Sequence, residues 1–486
     1  MLQELKDLNS FEAFKYFKEM NEIPRGSGNE KAISDWLVNF AKEHNLQVIQ
    51  DEALNVIIKK PGTKGYEKAP ITILQGHMDM VCEKNIGTAH DLEKDPIAFI
   101  VEGDNLRADG TTLGADNGIA VAFGIAILAS TDIPHPPLEL LVTTGEETGM
   151  GGAQALNPEN LDGRTLINID SEEEGKILVS CSGGVREIVK LPITWEAADE
   201  SLISCAVRIR GLLGGHSGLE IAKERGNSNK MMGRFLMDLR SGVDFKINSI
   251  TGGSKNNAIP READATILFR EEDKAAVIEK VSQWNAIFKN ELDGIDPDIN
   301  LSAEILDKKA ERVFSDDTAI RALQVLFLIQ NGVKNMNMAI PGLVQSSTNI
   351  GVVSTNEENV EFDSAVRSCA KTLKKAICDE GIVLAEMAGA SIEFESDYPE
   401  WQYNPNSKIR TLFQKVYNDM FGKMPEISAI HAGLECGLFS DKFNGDIDLI
   451  SVGPNLYDVH TTKEHLSISS TERTWNYLTA VLKEIK

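Results

Sequence analysis

Apolar residues over the first 185 positions follow two alternating rhythms. Helical spacing runs through residues 11–22 and 30–44, and Pro24-Arg25-Gly26-Ser27-Gly28 breaks the chain between them. Continuous apolar runs at 56–60, 71–75, 138–143 and 165–169 read as strands buried on both faces. Residues 119–129 are apolar all round and read as a buried helix. Strands of this kind separated by helices predict a mostly parallel sheet covered on both faces, an α/β fold.

After about Val185 the strands alternate more, as in Cys205-Ala206-Val207-Arg208-Ile209-Arg210, and helices are expected over 230–240 and 273–288. ATILFREEDKAAVIEKV and DSAVRSCAKTLKKAI resemble each other. Each is a strand ending in arginine (Arg270, Arg367) that runs into a helix. This reads as an internal duplication of a β-α-β-β-α-β unit, with an antiparallel sheet and helices on one face. From about Pro399 helix-strand alternation resumes at 407–420 and 448–452. A last helix over 471–485 is opened by Ser469 or Ser470 as N-cap. The expectation is a discontinuous domain, 1–185 with 398–486, interrupted by an inserted α+β lid domain at 186–397. Two chain crossings make a hinge.

Bulk properties narrow the function classes. The 486-residue chain is too long for one ordinary core, and 42% hydrophobic with 25% charged residues is a soluble globular composition. A formal net charge of -25 argues against nucleic acid or an anionic membrane as partner. The segment MLQELKDLNSFEAFKYF is amphipathic and mixed in charge, unlike a secretory signal. No stretch approaches the roughly 18–20 apolar residues of a membrane span. Six cysteines are scattered without a C-x-x-C pair, which fits thiols in a reducing compartment. A cytoplasmic protein is expected.

Six side chains suited to metals occur in order: His77 in LQGHMDM, Asp116 in LGADNG, Glu146 and Glu147 in LLVTTGEETG, Asp170 in LINIDSEEE, and His460 in YDVHTTKE. Five of them follow the expected end of a buried strand. Carboxylates mixed with imidazoles, and no cysteine, suit two zinc-like ions about 3.5–4 Å apart, a hydrolase arrangement. Asp79 lies two residues beyond His77 and faces the same way, so it can hold the second ring N–H and fix the tautomer. Asp116 sits between glycines and can offer one oxygen to each ion, although an aspartate before a helix is also an ordinary N-cap. Of the glutamate pair, Glu147 is expected on the metal and Glu146 as the general base that takes a proton from the attacking water. His465 is the rival of His460.

These motifs, in this order and approximate spacing, resemble the co-catalytic zinc peptidases that include peptidase T, carboxypeptidase G and aminoacylases. The likeness spans nearly the full length. GGHSGLEI, NNAIPREA and HAGLECGLF are shared with the branch that cleaves Xaa-His dipeptides. The resemblance implies one ion on His77, Asp116 and Asp170, and another on Asp116, Glu147 and His460. It also implies a cis peptide after Asp116. In the inserted domain it implies that His216 polarises the scissile carbonyl. Asn257 and Arg367 would hold the substrate's carboxylate, and Glu435 would pair with its free amino group. The activity implied is hydrolysis of unblocked dipeptides, β-Ala-His included, by a metal-bridging hydroxide with Glu146 as base. An N-acyl amino acid deacylase is the alternative on the same site. The ions are expected to be zinc, with cobalt or manganese also accepted, and a homodimer is plausible by the same resemblance.

Overall fold

The computed structural model describes residues 5–486, so the first four residues of the amphipathic opening segment lie outside it. The chain divides into two compact units. One contains the N-terminal part up to Cys181 together with Trp401–Ala429 and Leu434–Lys486; the other contains Ser182–Glu400 and Ile430–Gly433. Because Ile430–Gly433 belongs with the second unit, the chain passes between units four times, not the two expected. The physical cause is local: the Ser182 amide donates to the carbonyls of Ile430 and Ala432.

The first unit is built on an eight-stranded sheet. Its strands run in the order Gln47–Gln50, Val56–Lys60, Leu138–Thr143, Thr72–His77, Thr165–Asn168, Asp448–Ser451, Lys176–Cys181, Glu426–Ile430. The strands from Leu138–Thr143 to Asp448–Ser451 are parallel to one another, and antiparallel neighbours flank them. Every residue of Thr72–His77 and Leu138–Thr143 is buried, which explains why they read as unbroken apolar runs. The helix Ala115–Ala129 carries no charge after Asp116 and buries 13 residues. At Gly124 an added Cβ would lie 2.3 Å from Leu140 Cδ1, so glycine lets this helix rest on the central strand. On the same helix Phe123 meets Trp475 of the helix Ile468–Glu484 edge-on, with centroids 5.4 Å apart.

That last helix starts earlier than expected. Ser467, not Ser469 or Ser470, is its N-cap, accepting from the Ser470 amide. The Ser469 amide and hydroxyl both donate to Asp104 instead. A four-stranded antiparallel sheet, Leu456–Tyr457, His465–Ser467, Asn105–Ala108 and Phe99–Glu102, holds the loop that bears His460.

The second unit is a nine-stranded antiparallel sheet. Its main path is Asn300–Ile305, Ile203–Arg210, Ala263–Phe269, Phe245–Gly252, Val344–Thr355, Asn359–Ser368, Gly183–Pro192, Ser391–Tyr398, with Gly332–Met336 beside Val344–Thr355. Each half follows the same β-α-β-β-α-β course. One uses the helices Ser228–Leu239 and Lys274–Glu291, the other Asp316–Leu328 and Lys371–Ala388. By chain rank the strands lie 4-1-3-2 in the first half and 2-3-1-4 in the second. The four helices and the inward strand residues share one apolar core, with Phe235, Phe269, Phe288, Phe314 and Phe362 at its centre. The paired arginines differ in setting: Arg270 is exposed, whereas Arg367 is buried. Among the described residues no helix is long and apolar enough to cross a membrane.

Candidate metal centre

All six expected metal-site side chains meet in the first unit. His77 ends the strand Thr72–His77, and its Nε2 lies 3.3 Å from Asp116 Oδ1 and 3.6 Å from Asp170 Oδ1. His460 Nε2 lies 3.0 Å from Asp116 Oδ2 and 3.0 Å from Glu147 Oε2. Asp116 therefore turns one oxygen to each histidine. Two groups of possible ligands share it: His77, Asp116, Asp170, and Asp116, Glu147, His460, with ligand atoms inside 4.8 Å in each. Glu146 stands beside them, 4.0 Å from His77 Nε2, and forms a third grouping with His77 and Glu147. His465 stacks on Tyr457 and lies away from these groups.

The electrostatics of the cluster favour added positive charge. Burial pushes the Glu146 carboxyl up to about 9, with Asp170, Glu435 and Glu147 adding to it. Asp170 rises to about 6 for the same reason, and Glu172 nearby to about 7. Burial alone would raise Asp116 too, but hydrogen bonds with His460 and His77 carry it below the usual carboxylate range. His460, bonded to Asp116 and Glu147, is raised to about 11. Glu147 Oε1 is buried and has no hydrogen-bond partner. Carboxylates this crowded hold protons unless cations neutralise them. The donor set, two imidazoles and three carboxylates of which Asp116 is shared, fits a pair of divalent ions.

Local chain geometry fixes these groups. The Asp116–Asn117 peptide is cis. Asn117 accepts from the His77 amide and donates to the Ile169 carbonyl, tying three ligand-bearing segments together. Gly76 makes this possible, since a Cβ there would fall 2.4 Å from Asn117 Oδ1. Asp79 is fully buried, and its role is wider than expected. The His77 ring Nδ1 is 3.1 Å from the Asp79 backbone carbonyl and 3.4 Å from its carboxylate. The carboxylate itself accepts from the amides of Glu146 and Glu147 and from Ser27 Oγ.

Sequence reasoning missed two buried supports. Glu464 accepts from the amides of Leu113, Gly114, Ala115 and Asp116, cradling the GADNG turn. Arg25 donates to the carbonyls of Met78 and Gly114 and to Asn21 Oδ1. Glycines at 114 and 118 leave room for its guanidinium, 2.6 and 2.5 Å from where a Cβ would stand. The only available signal for either was nearness to a motif: Arg25 in PRGSG, Glu464 four residues after His460.

Glu435, expected to meet a substrate amine, is fully buried. Its Oε2 accepts from Gln75 Nε2 and Thr143 Oγ1, and Oε1 has no partner. Two strand side chains engage one of its oxygens and leave the other free of any hydrogen bond. Burial raises its carboxyl to about 7.

The remaining expected residues lie in the second unit. His216 Nδ1 accepts from the amides of Gly218 and Leu219, so the neutral ring carries its proton on Nε2. Burial, then Arg367, lowers its basicity. Arg367 donates to Tyr398 Oη, and its Nε has no partner. Asn257 is exposed, and its carbonyl accepts from the Ser217 amide. His431, not singled out from the sequence, converges with this group. A Cβ at Gly218 would lie 2.2 Å from the His431 carbonyl, 3.1 Å from His216 Cε1 and 3.2 Å from Arg367 Nε.

Comparison with known proteins agrees with the family expected from the motifs. Residues 207–296 match the M20 peptidase dimerisation domain. The chain is 39% identical over 487 residues to the cytosol non-specific dipeptidase of Escherichia coli K12, covering 100% of this chain and 99% of that one. It superposes on the crystal structure of aminoacylhistidine dipeptidase from Vibrio alginolyticus with a TM-score of 0.95 and 37% identity, covering 99% and 98% of the two chains. The aminopeptidase PepT of Bacillus cereus shares the fold, at a TM-score of 0.57 and 15% identity over 98% and 99%. With full-length identity of this order to one enzyme, the chain belongs to the M20 peptidase family, alongside the cytosol non-specific dipeptidase of E. coli.

Proposed function

We propose that the protein is a dinuclear metallo-dipeptidase that hydrolyses unblocked dipeptides, Xaa-His types such as β-Ala-His included. The observation that carries the reading is Asp116, whose two carboxylate oxygens face His77 and His460 within separate ligand groups. Family membership and the names of the E. coli and Vibrio relatives support the substrate class. His77, Asp116 and Asp170 would hold one ion, and Asp116, Glu147 and His460 the other. Divalent ions bound there, zinc with cobalt or manganese as alternatives, would supply Lewis-acid polarisation of the scissile carbonyl and the positive charge that keeps nearby carboxylates ionised.

The protein's own groups do the rest. Glu146 takes a proton from the attacking water and returns it to the leaving amine. Asp79 fixes the ring of His77 and, through the amides of Glu146 and Glu147, sets where those carboxylates stand. His216, neutral and protonated on Nε2, donates to the carbonyl oxygen as charge develops there. Arg367 and Asn257 take the substrate's carboxylate, the guanidinium as a fork. A homodimer is supported by the match to the dimerisation domain, and a cytoplasmic location by the name of the E. coli relative. Sedimentation of the full chain tests the dimer.

The decisive assay is cleavage of β-Ala-His and several α-dipeptides before chelation, after it, and after metal return. Chelation-sensitive cleavage restored by zinc, cobalt or manganese is expected. No cleavage by metal-loaded protein overturns the reading, and N-acyl amino acids become the substrates to assay.

A further inference from the structure

In the second unit the helix Lys371–Ala388 packs over the strands Gly183–Pro192 and Asn359–Ser368, and a cavity of about 250 Å³ lies beneath its outer end. Leu328, Ile377, Leu384 and Met387 form apolar walls, and Glu187, Gln330, Thr348 and Glu380 are its polar lining. Glu187 is 4% exposed, yet its Oε2 has no hydrogen-bond partner. Gln330 Oε1 is likewise buried and unpartnered. So is the hydroxyl of Ser364, which stands opposite Glu187 in the strand register. Gly381 makes room for the carboxylate: a Cβ there would lie 2.5 Å from Glu187 Oε2.

A buried carboxylate is normally paired with a cation or satisfied by several donors. Here burial alone governs Glu187, which no cation offsets. Of the neighbouring polar groups, the Gln330 amide oxygen can only accept, and neither the Ser364 nor the Thr348 hydroxyl is bonded to Glu187 Oε2. An acceptor-rich floor under apolar walls calls for a cationic donor with a hydrocarbon body. A second carboxylate at the rim, Glu380, is paired with Lys334 Nζ at 3.8 Å, whereas Glu187 has no such partner.

We propose that this cavity is a binding site for a primary ammonium ion carrying a short apolar chain. Its N–H groups donate to Glu187 and Gln330, and its carbons pack on Leu328, Leu384 and Met387. The site belongs to the second unit alone and does not depend on the hydrolytic reading.

The test is calorimetric titration of the full chain and of Glu187→Gln with n-butylammonium chloride, and of the full chain with n-butanol as a neutral molecule of similar size. Glutamine keeps the shape and removes the buried charge, so the variant folds. Saturable ammonium binding is expected in the native chain. It should weaken by about tenfold or more in Glu187→Gln, and n-butanol should bind at least about tenfold more weakly than the ammonium. No saturable binding overturns the proposal, since the cavity then holds water only. Equal binding to native chain and variant, or equal binding of alcohol and ammonium, overturns it as well.

Discussion

The Glu464 carboxylate holds the backbone of Asp116: its Oε1 accepts from the Asp116 amide at 3.3 Å, across 348 positions of sequence. The same oxygen accepts from Ala115, and Oε2 accepts from Leu113 and Gly114. Four orphan amides at the start of a helix thus converge on one carboxylate, a placement the helix dipole also favours.

In Glu464→Gln the carboxamide must turn its NH₂ toward two of these four N–H donors, whichever way it flips. Metal affinity or kcat/KM is expected to fall by about 10- to 100-fold, as for other groups that orient ligands. Metal content and kinetics measured on the same preparation check this. Native metal affinity with native kcat/KM would remove Glu464 from the site's support.

Glu146→Gln is expected to lower kcat by about 10²–10⁴-fold while both metals stay bound, because only the proton carrier is lost. Metal stoichiometry measured beside turnover distinguishes this from simple loss of the ions. Substantial residual turnover would give the base role to another group.

Chelation should destabilise the first unit. Without cations, Asp116, Glu146, Glu147 and Asp170 face one another at close range, and several must take up protons. Returning zinc at about 100 times its dissociation constant should restore about 2.7 kcal/mol for each ion bound, read as a rise in Tm. A Tm indifferent to chelator and zinc would count against metal binding at this cluster.

Much of the centre was legible because its ligands follow hydrophobic strands. GHMD, GEE and IDSE each come after a run too apolar to be anything but interior, so the polar residues that follow stand out. Glu464 was not legible, since nothing local marks a glutamate that reaches back to residues 113–116. The cap of the last helix was misread because three serines, Ser467, Ser469 and Ser470, offer the same chemistry. Asp104, remote in sequence, occupies Ser469. Glu187 was legible but unread: in VREIVK it alternates with Val185 and Val189, which share its face of the strand and are buried with it.

Glu187 also predicts a pH effect on stability. Its carboxyl is raised to about 7 in the fold by burial, against about 4.5 when unfolded. Below 4.5 both states are protonated and nothing is lost. Between about 4.5 and 7 the unfolded state ionises first, so stability falls as pH rises, then levels off. The whole effect amounts to about 3 kcal/mol at about 1.4 kcal/mol per unit. Glu187→Gln lacks it, so its stability advantage over the native chain should grow across that window in denaturant titrations. A difference that stays constant from pH 4 to 8 would contradict the buried, unpaired state of this carboxylate.

The strand Asp448–Ser451 lies inside the first unit's sheet, between Thr165–Asn168 and Lys176–Cys181. A ribosome must therefore reach Ser451 before that sheet can close, whereas the whole second unit, Ile430–Gly433 included, has by then been made. His460 emerges later still. A stalled or truncated product ending before it carries His77, Asp116 and Glu147 but lacks the histidine that faces both Asp116 and Glu147. Synthesis order thus acts as a safeguard, withholding the completed ligand set until His460 has been added.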